Sequence, residues 1–220
     1  MNTLKIAAAT GAVILIAACG QAANGQATNE QAETSDVREE KLQEFDAVSG
    51  TYVSEATHRY ITFSYLHQGY SRPHVRFDDW TGTLDWNADD PAASSIAVTI
   101  NAASISSGVP KFDDHLRSAD FFDTDAHPEI TFASTRVERT GDVTGKITGD
   151  LTIKGVTKPV TLDVTYNKSA YEQRGKSYKI GFSATAAVKR SDFGVDKYTP
   201  FVGDDVEIVI EAEFEKPAEG

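Results

Sequence analysis

The chain has a single cysteine, Cys19, so no disulfide can form within it. Cations are scarce: 21 Lys and Arg stand against 33 Asp and Glu, for a formal net charge of −12. Such an acidic surface argues against nucleic acid, which requires clustered Lys and Arg. It equally disfavours electrostatic docking on anionic lipid head groups. No apolar run reaches the roughly 20 residues that a membrane-spanning helix needs. The P-loop, the dinucleotide glycine fingerprint and the G-x-S-x-G elbow are missing. His58, His67, His74, His115 and His127 show no zinc spacing, and Asp78-Asp79 and Asp89-Asp90 lack the calcium-loop pattern. The expectation is a protein that is not an enzyme, with no catalytic residue, no metal and no resident cofactor.

What is present begins with a targeting segment. Met1–Lys5 carries one positive charge, and Ile6–Ala18 is apolar and free of charge. That run is too short to span a bilayer, and residues 1–18 read as a secretory signal peptide. Ile16-Ala17-Ala18-Cys19-Gly20 resembles the bacterial lipobox, whose cysteine is lipidated, palmitate included, and becomes the new N-terminus. Gly20 is not the aspartate that, in lipoproteins of this kind, favours the inner membrane. The expected location is therefore the periplasm, with Cys19 as a lipid anchor in the outer membrane. Removing residues 1–18 takes away Lys5 and no acid, so −12 becomes −13. Residues 19–45 hold almost no large apolar side chain and read as a flexible tether. A short helix is expected at Asp36–Phe45, capped by Asp36, with Val37, Leu42 and Phe45 on one face. Residues 46–216 then form one domain with a sizeable core, and 217–220 a disordered tail.

Within that domain apolar residues recur at every second position. Ile61, Phe63 and Tyr65 alternate, as do Trp80, Gly82, Leu84 and Trp86, then Ile96, Val98 and Ile100. Later runs place Ile130 and Phe132, then Ile147, Leu151 and Ile153, then Val160, Leu162, Val164 and Tyr166. Tyr178, Ile180, Phe182, Ala184, Ala186 and Val188 follow, and Val206, Ile208 and Ile210 close the series. Successive strand side chains point to opposite faces, so each run has one apolar and one polar face, the mark of an antiparallel sheet. Glycines at Thr140-Gly141-Asp142 and Lys154-Gly155-Val156 suit tight hairpins. About eight strands with short connections predict an all-β, antiparallel, lipocalin-like barrel, because closure removes exposed edges. A barrel of that size is either filled by side chains or holds one small ligand.

Between the two β-patterned halves lies KFDDHLRSADFFDTDAHPEITF, Lys111–Phe132, with six acids, two histidines and four phenylalanines. The stretch is predicted as a short helical or loop crossover near residues 110–128. Its Asp113, His115, Leu116, Arg117, Ser118, Asp120, Phe121, Phe122 and Asp123, followed by Pro128, Ile130 and Phe132, resemble the central signature of the YceI-like family. Similar too are the opening His58-Arg59-Tyr60-Ile61-Thr62-Phe63, the run Gly149–Val160, and Arg190, Asp192, Phe193 and Gly194 ahead of Val202–Val206. The likeness covers about Val48 to Phe214. It departs at His74-Val75, where a glycine is usual, and at Lys111-Phe112, which blurs any head-group assignment.

The resemblance implies a periplasmic barrel that binds polyisoprenoid lipid. The function expected is storage or transport of an elongated apolar lipid, a polyisoprenoid or isoprenoid quinone, in the barrel. Phe63, Phe77, Leu84, Val98, Ile100, Phe132 and Phe182 are expected to line the cavity, mixed with small Ala184 and Ala186. Phe121 and Phe122 would plug its mouth, while Asp113, His115, Arg117 and Asp120 form one polar network. Arg117, Lys111 or Arg190 would meet an anionic or carbonyl head group. The alternatives are an enzyme acting on a lipid ester through dispersed loop residues, and a structural or stress-related protein whose barrel is filled. The expected partners are the lipid ligand and, through Cys19, a membrane. The oligomeric state is open, a dimer included.

Overall fold

The structure, a computed structural model, describes residues 47–218. The expected signal peptide 1–18, lipidated Cys19, tether 19–45 with its Asp36–Phe45 helix, and the last two residues of the expected tail lie outside the described residues. Ten strands and one α-helix follow in order: β1 (Gly50–His67), β2 (His74–Phe77), β3 (Trp80–Trp86), β4 (Ser95–Asn101), β5 (Ile105–Ser106), α1 (Pro110–Arg117), β6 (Glu129–Arg139), β7 (Thr144–Ile153), β8 (Val156–Glu172), β9 (Ser177–Lys189) and β10 (Val202–Pro217). β10 thus runs one residue past the predicted domain end, and the Ala218 amide donates to the Lys176 carbonyl.

Eight of these strands close a barrel in the order β1-β3-β4-β6-β7-β8-β9-β10, with β10 returning to β1 through Ile61↔Ile210 and Phe63↔Ile208. Every pairing is antiparallel. β2 and β5 do not enlarge the ring. β1 pairs with β3 through Gly50–Val53 and with β2 through Ile61–Ser64, so β2 and β3 act as one stave broken at Asp78-Asp79. β5 pairs with β2 and continues β4 beyond the turn at 102–104.

The alternation in the sequence is the alternation of the wall. In β8, Val160, Leu162, Val164 and Tyr166 face inward while Thr161, Asp163 and Thr165 are exposed. In β10, Val206, Ile208, Ile210, Ala212 and Phe214 face inward, with Glu207 and Glu211 outside. An apolar interior with a charged exterior is the reverse of a membrane-spanning barrel. No helix among the described residues is long and apolar enough to cross a membrane. Lys154 and Gly155, both at positive φ (51° and 73°), make the tight β7–β8 hairpin. Register shifts at Ser54/Arg59 in β1, Ser134/Arg136 in β6 and Tyr166/Lys168 in β8 supply the local bends that closure requires.

The predicted crossover begins as α1. Pro110 opens it where a missing amide costs nothing, and His115 and Arg117 sit in its last turn, where cations suit the helix dipole. Leu116 is its buried apolar anchor. Asp113 folds the preceding loop back onto it, accepting from the Ser107 amide at 2.7 Å and the Ser107 hydroxyl at 2.5 Å. Those bonds, the Ser107 hydroxyl first, hold the Asp113 carboxyl below the usual range.

Candidate functional site

The inward side chains do not fill the barrel. They enclose a cavity of about 1220 Å³, above the 300–1,000 Å³ typical of small-molecule pockets. Phe63, Ile96, Val98, Ile147, Leu162, Phe182 and Ile208 all point inward, yet each keeps partial accessibility. A packed core would have covered them.

Of the predicted site residues, Phe63, Phe77, Leu84, Val98, Ile100, His115, Phe121, Phe122, Phe132 and Phe182 all line this space. Aromatic contacts tie the wall together at both ends. Near α1, Phe122 lies 5.7 Å from Phe77, edge to face, and 6.3 Å from Phe63. Phe122, expected with Phe121 at the mouth of the cavity, thus packs against β1 and β2. Phe121 lies outside that trio, against His115 at 5.0 Å and Tyr198 at 6.2 Å. At the opposite end Trp86 stacks on Tyr166 at 5.8 Å, and Phe182 meets Tyr166 at 5.4 Å and Phe214 at 6.3 Å. Behind them Tyr52 is fully buried and donates to the Val48 carbonyl at 2.7 Å. Burial pushes its phenol up to about 12.

The polar groups are arranged differently from the sequence expectation. Asp113, His115, Arg117 and Asp120 do not make one network. Asp113 serves Ser107, while His115 Nε2 lies 3.6 Å from Asp120, which is also paired with Lys197 at 3.1 Å. Arg117 points away from the cavity: its Nε donates to the Ala103 carbonyl, one terminal nitrogen to Ile105 and the other to Asp114. Only the Asp120–Lys197 pair joins residues distant in sequence, 77 positions apart, and the Arg117 bonds to Ala103 and Ile105 end on backbone carbonyls; neither is revealed by spacing. Lys111 is exposed on α1 and is not among the lining residues. Arg190 does line the cavity, but its guanidinium is engaged by four carbonyls, those of Gly203, Val195, Lys197 and Val202 at 2.6–3.0 Å. Arg190 therefore clamps the loop between β9 and β10. Burial lowers its pKa, opposed by Asp204 and Asp196.

Several lining residues were not singled out for the site from sequence. Trp80, Trp86, Tyr166 and Phe214 share the wall with the predicted phenylalanines. For the first three the period-two pattern itself was the available signal. Tyr198 and Phe201 also line the cavity, but from a loop, where no periodicity marks them.

The histidines are dispersed. His67, His74 and His115 line the cavity, while His58 lies on the β1 bulge with Glu55 and Glu213 close enough to form a metal-type cluster. In that cluster Glu55 already accepts from Thr57 and His58, and the Lys179 ammonium lies 3.2 Å from Glu213. A neighbouring cation opposes metal binding there.

Comparison with known proteins follows the same outline. A YceI-like domain matches residues 52–214. A UPF0312 protein of Pseudomonas savastanoi is 39% identical over 151 residues, 68% of this chain and 78% of that protein. The crystal structure of a Campylobacter jejuni YceI protein superposes with a TM-score of 0.63 at 33% identity, covering 67% of this chain and 87% of that one. A polyisoprenoid binding domain from Saccharophagus degradans has the same fold, with a TM-score of 0.56 at 12% identity over 77% of this chain and all of that one. A domain match across the whole barrel, joined to a relative at this identity, means that the chain belongs to the YceI-like family.

Proposed function

We propose that the barrel binds one elongated apolar lipid, a polyisoprenoid or an isoprenoid quinone, and stores or carries it. The observation that carries this reading is the hollow interior, about 1220 Å³ of space walled by aromatic and branched aliphatic side chains. Between Val206 and Phe214 the inward ladder of β10 alone extends for roughly 27 Å along the strand. A long chain fits such a shape better than a compact ligand does. Each methylene removed from water contributes roughly 0.8 kcal/mol, against roughly 4–15 kcal/mol lost on association. Ten or more buried carbons therefore suffice for useful affinity. The polyisoprenoid binding domain of Saccharophagus degradans, which shares the fold, supports the same ligand class.

Phe63, Phe77, Leu84, Val98, Ile100, Phe132 and Phe182 form the wall that holds the chain, and His115, Phe121 and Phe122 close it at the α1 end. Arg117 holds the crossover in place from behind. The work takes place in the bacterial periplasm, with Cys19 as the lipid anchor to the outer membrane, a reading supported by the signal-like residues 1–18 and the lipobox-like 16–20.

Native mass spectrometry of the protein purified from a bacterial host, followed by organic extraction, tests the proposal. The expected result is an adduct whose extract contains a long-chain isoprenoid. An apo spectrum, together with no response from dansyl-labelled farnesol, would overturn it.

A further inference from the structure

The α1 end of the barrel carries the two most exposed large apolar side chains among the described residues, Tyr70 (86% exposed) and Phe201 (78%). Val109, Tyr198 and Leu66 are exposed beside them. Tyr70 is at the β1–β2 turn, Val109 precedes α1, and Tyr198 and Phe201 belong to the loop between β9 and β10. Because His67 pairs with Val202, the two loops holding Tyr70 and Phe201 are neighbours, and together with Leu66 and Pro200 they edge a shallow depression. Gln68 and Phe201 belong both to that depression and to the main cavity, which Val109 and Tyr198 also line. The apolar rim is therefore continuous with the apolar interior.

We propose that this rim docks on a bilayer of zwitterionic lipid, setting the mouth of the cavity against the membrane surface. The inference rests on the lipid-binding reading and adds to it the route of loading. An apolar chain that passes from bilayer to cavity through such a contact never crosses water, which is the costly step of its transfer. Tyrosine, with an apolar ring and a polar tip, suits the head-group level of a membrane, and Phe201 would sit below it. Charge selects the lipid. Four cations around the rim are already matched, Arg72 with Glu207, Arg76 with Asp78, Lys189 with Asp205, and Lys197 with Asp120. Lys154 donates to the Ala119 and Gly194 carbonyls, and Lys111 on α1 is a single unpaired cation. On a chain of net charge −12, no unmatched basic patch among these residues draws the mouth toward anionic lipid.

The chain outside the barrel allows this orientation. Ala47 lies at the far end, its amide bonded to Ser169 near the end of β8. The 28 residue steps from Cys19 to Ala47 reach roughly 95 Å when extended. The sixteen residues of β10 cover roughly 53 Å along the strand. An anchor at Cys19 can therefore hold a membrane against the mouth.

The test uses the full chain with one added tryptophan at either end, F201W at the rim and Y171W at the far end of β8, each read against the wild type, whose Trp80 and Trp86 supply the background emission. Vesicles of brominated dioleoyl-phosphatidylcholine are expected to quench F201W strongly and Y171W little, relative to unbrominated vesicles. Replacing a third of the lipid by phosphatidylglycerol should weaken the quenching. L66S/Y70S, at two rim residues that edge the depression and do not line the cavity, should bind dansyl-labelled farnesol from solution as the wild type does, yet take it up from phosphatidylcholine vesicles about tenfold or more slowly, since two apolar contacts with the bilayer are lost. If F201W stays unquenched while the chain still binds the probe, docking is wrong and the lipid reading stands. If the wild type binds no probe at all, the lipid reading itself falls, and docking with it. A dimer in ultracentrifugation that L66S/Y70S abolishes would assign the rim to a second copy of the chain and overturn the proposal.

Discussion

Gly149 lies beneath the ring of Phe132: a Cβ added at residue 149 would meet Phe132 Cζ and approach the Ala133 carbonyl oxygen to 2.5 Å. The first contact could be relieved by moving a ring that helps wall the cavity. The second is with backbone of the paired strand and cannot be relieved by a rotamer change. Gly149→Ala is therefore expected to lower stability by about 1–3 kcal/mol, the usual cost of overpacking. Urea unfolding should show a lower midpoint with an unchanged slope. An unchanged midpoint would mean that β6 and β7 separate there more easily than the geometry allows.

Arg190 separates a structural cation from a head-group ligand. Its four carbonyl acceptors all lie in residues 195–203, the loop that brings Tyr198 and Phe201 to the mouth. Arg190→Ala leaves several of them without a donor, at about 1–3 kcal/mol for each that water fails to reach. The expected outcome is a loss of about 3 kcal/mol in urea unfolding and faster proteolytic cleavage near residue 200. Arg190→Lys, which restores a charge but only part of the fork, should recover little of it. Were Arg190 a head-group ligand instead, Arg190→Ala would weaken lipid binding with stability intact.

Glu55 gives the barrel a dependence on acid. Burial works to raise its pKa, but hydrogen bonds from Thr57 and His58 outweigh that and hold it at about 2, against 4.5 for a free glutamate. A carboxyl with a depressed folded-state pKa stabilises fully above its unfolded value and loses that contribution as the pH falls toward the folded one. The denaturation midpoint is thus expected to drop between pH 4.5 and about 2. In Glu55→Gln the drop across the same window should be smaller, and the variant should be less stable than the wild type at pH 7. Chemical denaturation at a series of pH values reads both effects.

Much of the wall was legible in the sequence because the wall is what alternation describes. Val160 to Tyr166 and Val206 to Ile210 could be read directly, since each strand has one apolar and one polar face. The pattern failed where a strand leaves the ladder. Residues between Ser54 and Arg59 bulge out of register, so Tyr52 beyond them, fully buried, dropped out of the period that begins at Ile61. The break at Asp78-Asp79 likewise turned one stave into two short segments. The mouth was harder still. Arg190 spends its donors on carbonyls, and Arg117 does so with all but the nitrogen that meets Asp114; every residue possesses a carbonyl, so no sequence pattern marks those partners. Tyr198 and Phe201 depend on the pairing of His67 with Val202, a contact between residues 135 positions apart.

Ala184 tests whether the interior is empty enough to hold a lipid. It faces the cavity from β9, between Val164 of β8 and Ile210 of β10, both of which also line it. Ala184→Phe directs a ring into the space without removing any existing contact. In a filled barrel this substitution would overpack the core and lower stability by about 1–3 kcal/mol. In a hollow one the ring finds room, and stability should stay within about 1 kcal/mol of the wild type. Lipid must then compete with the ring, and affinity for dansyl-labelled farnesol is expected to fall at least about tenfold, or 1.4 kcal/mol. Stability and affinity measured on the same preparation separate the two cases: lost stability with no lipid bound indicates a filled barrel, and retained stability with weakened binding indicates a cavity in use.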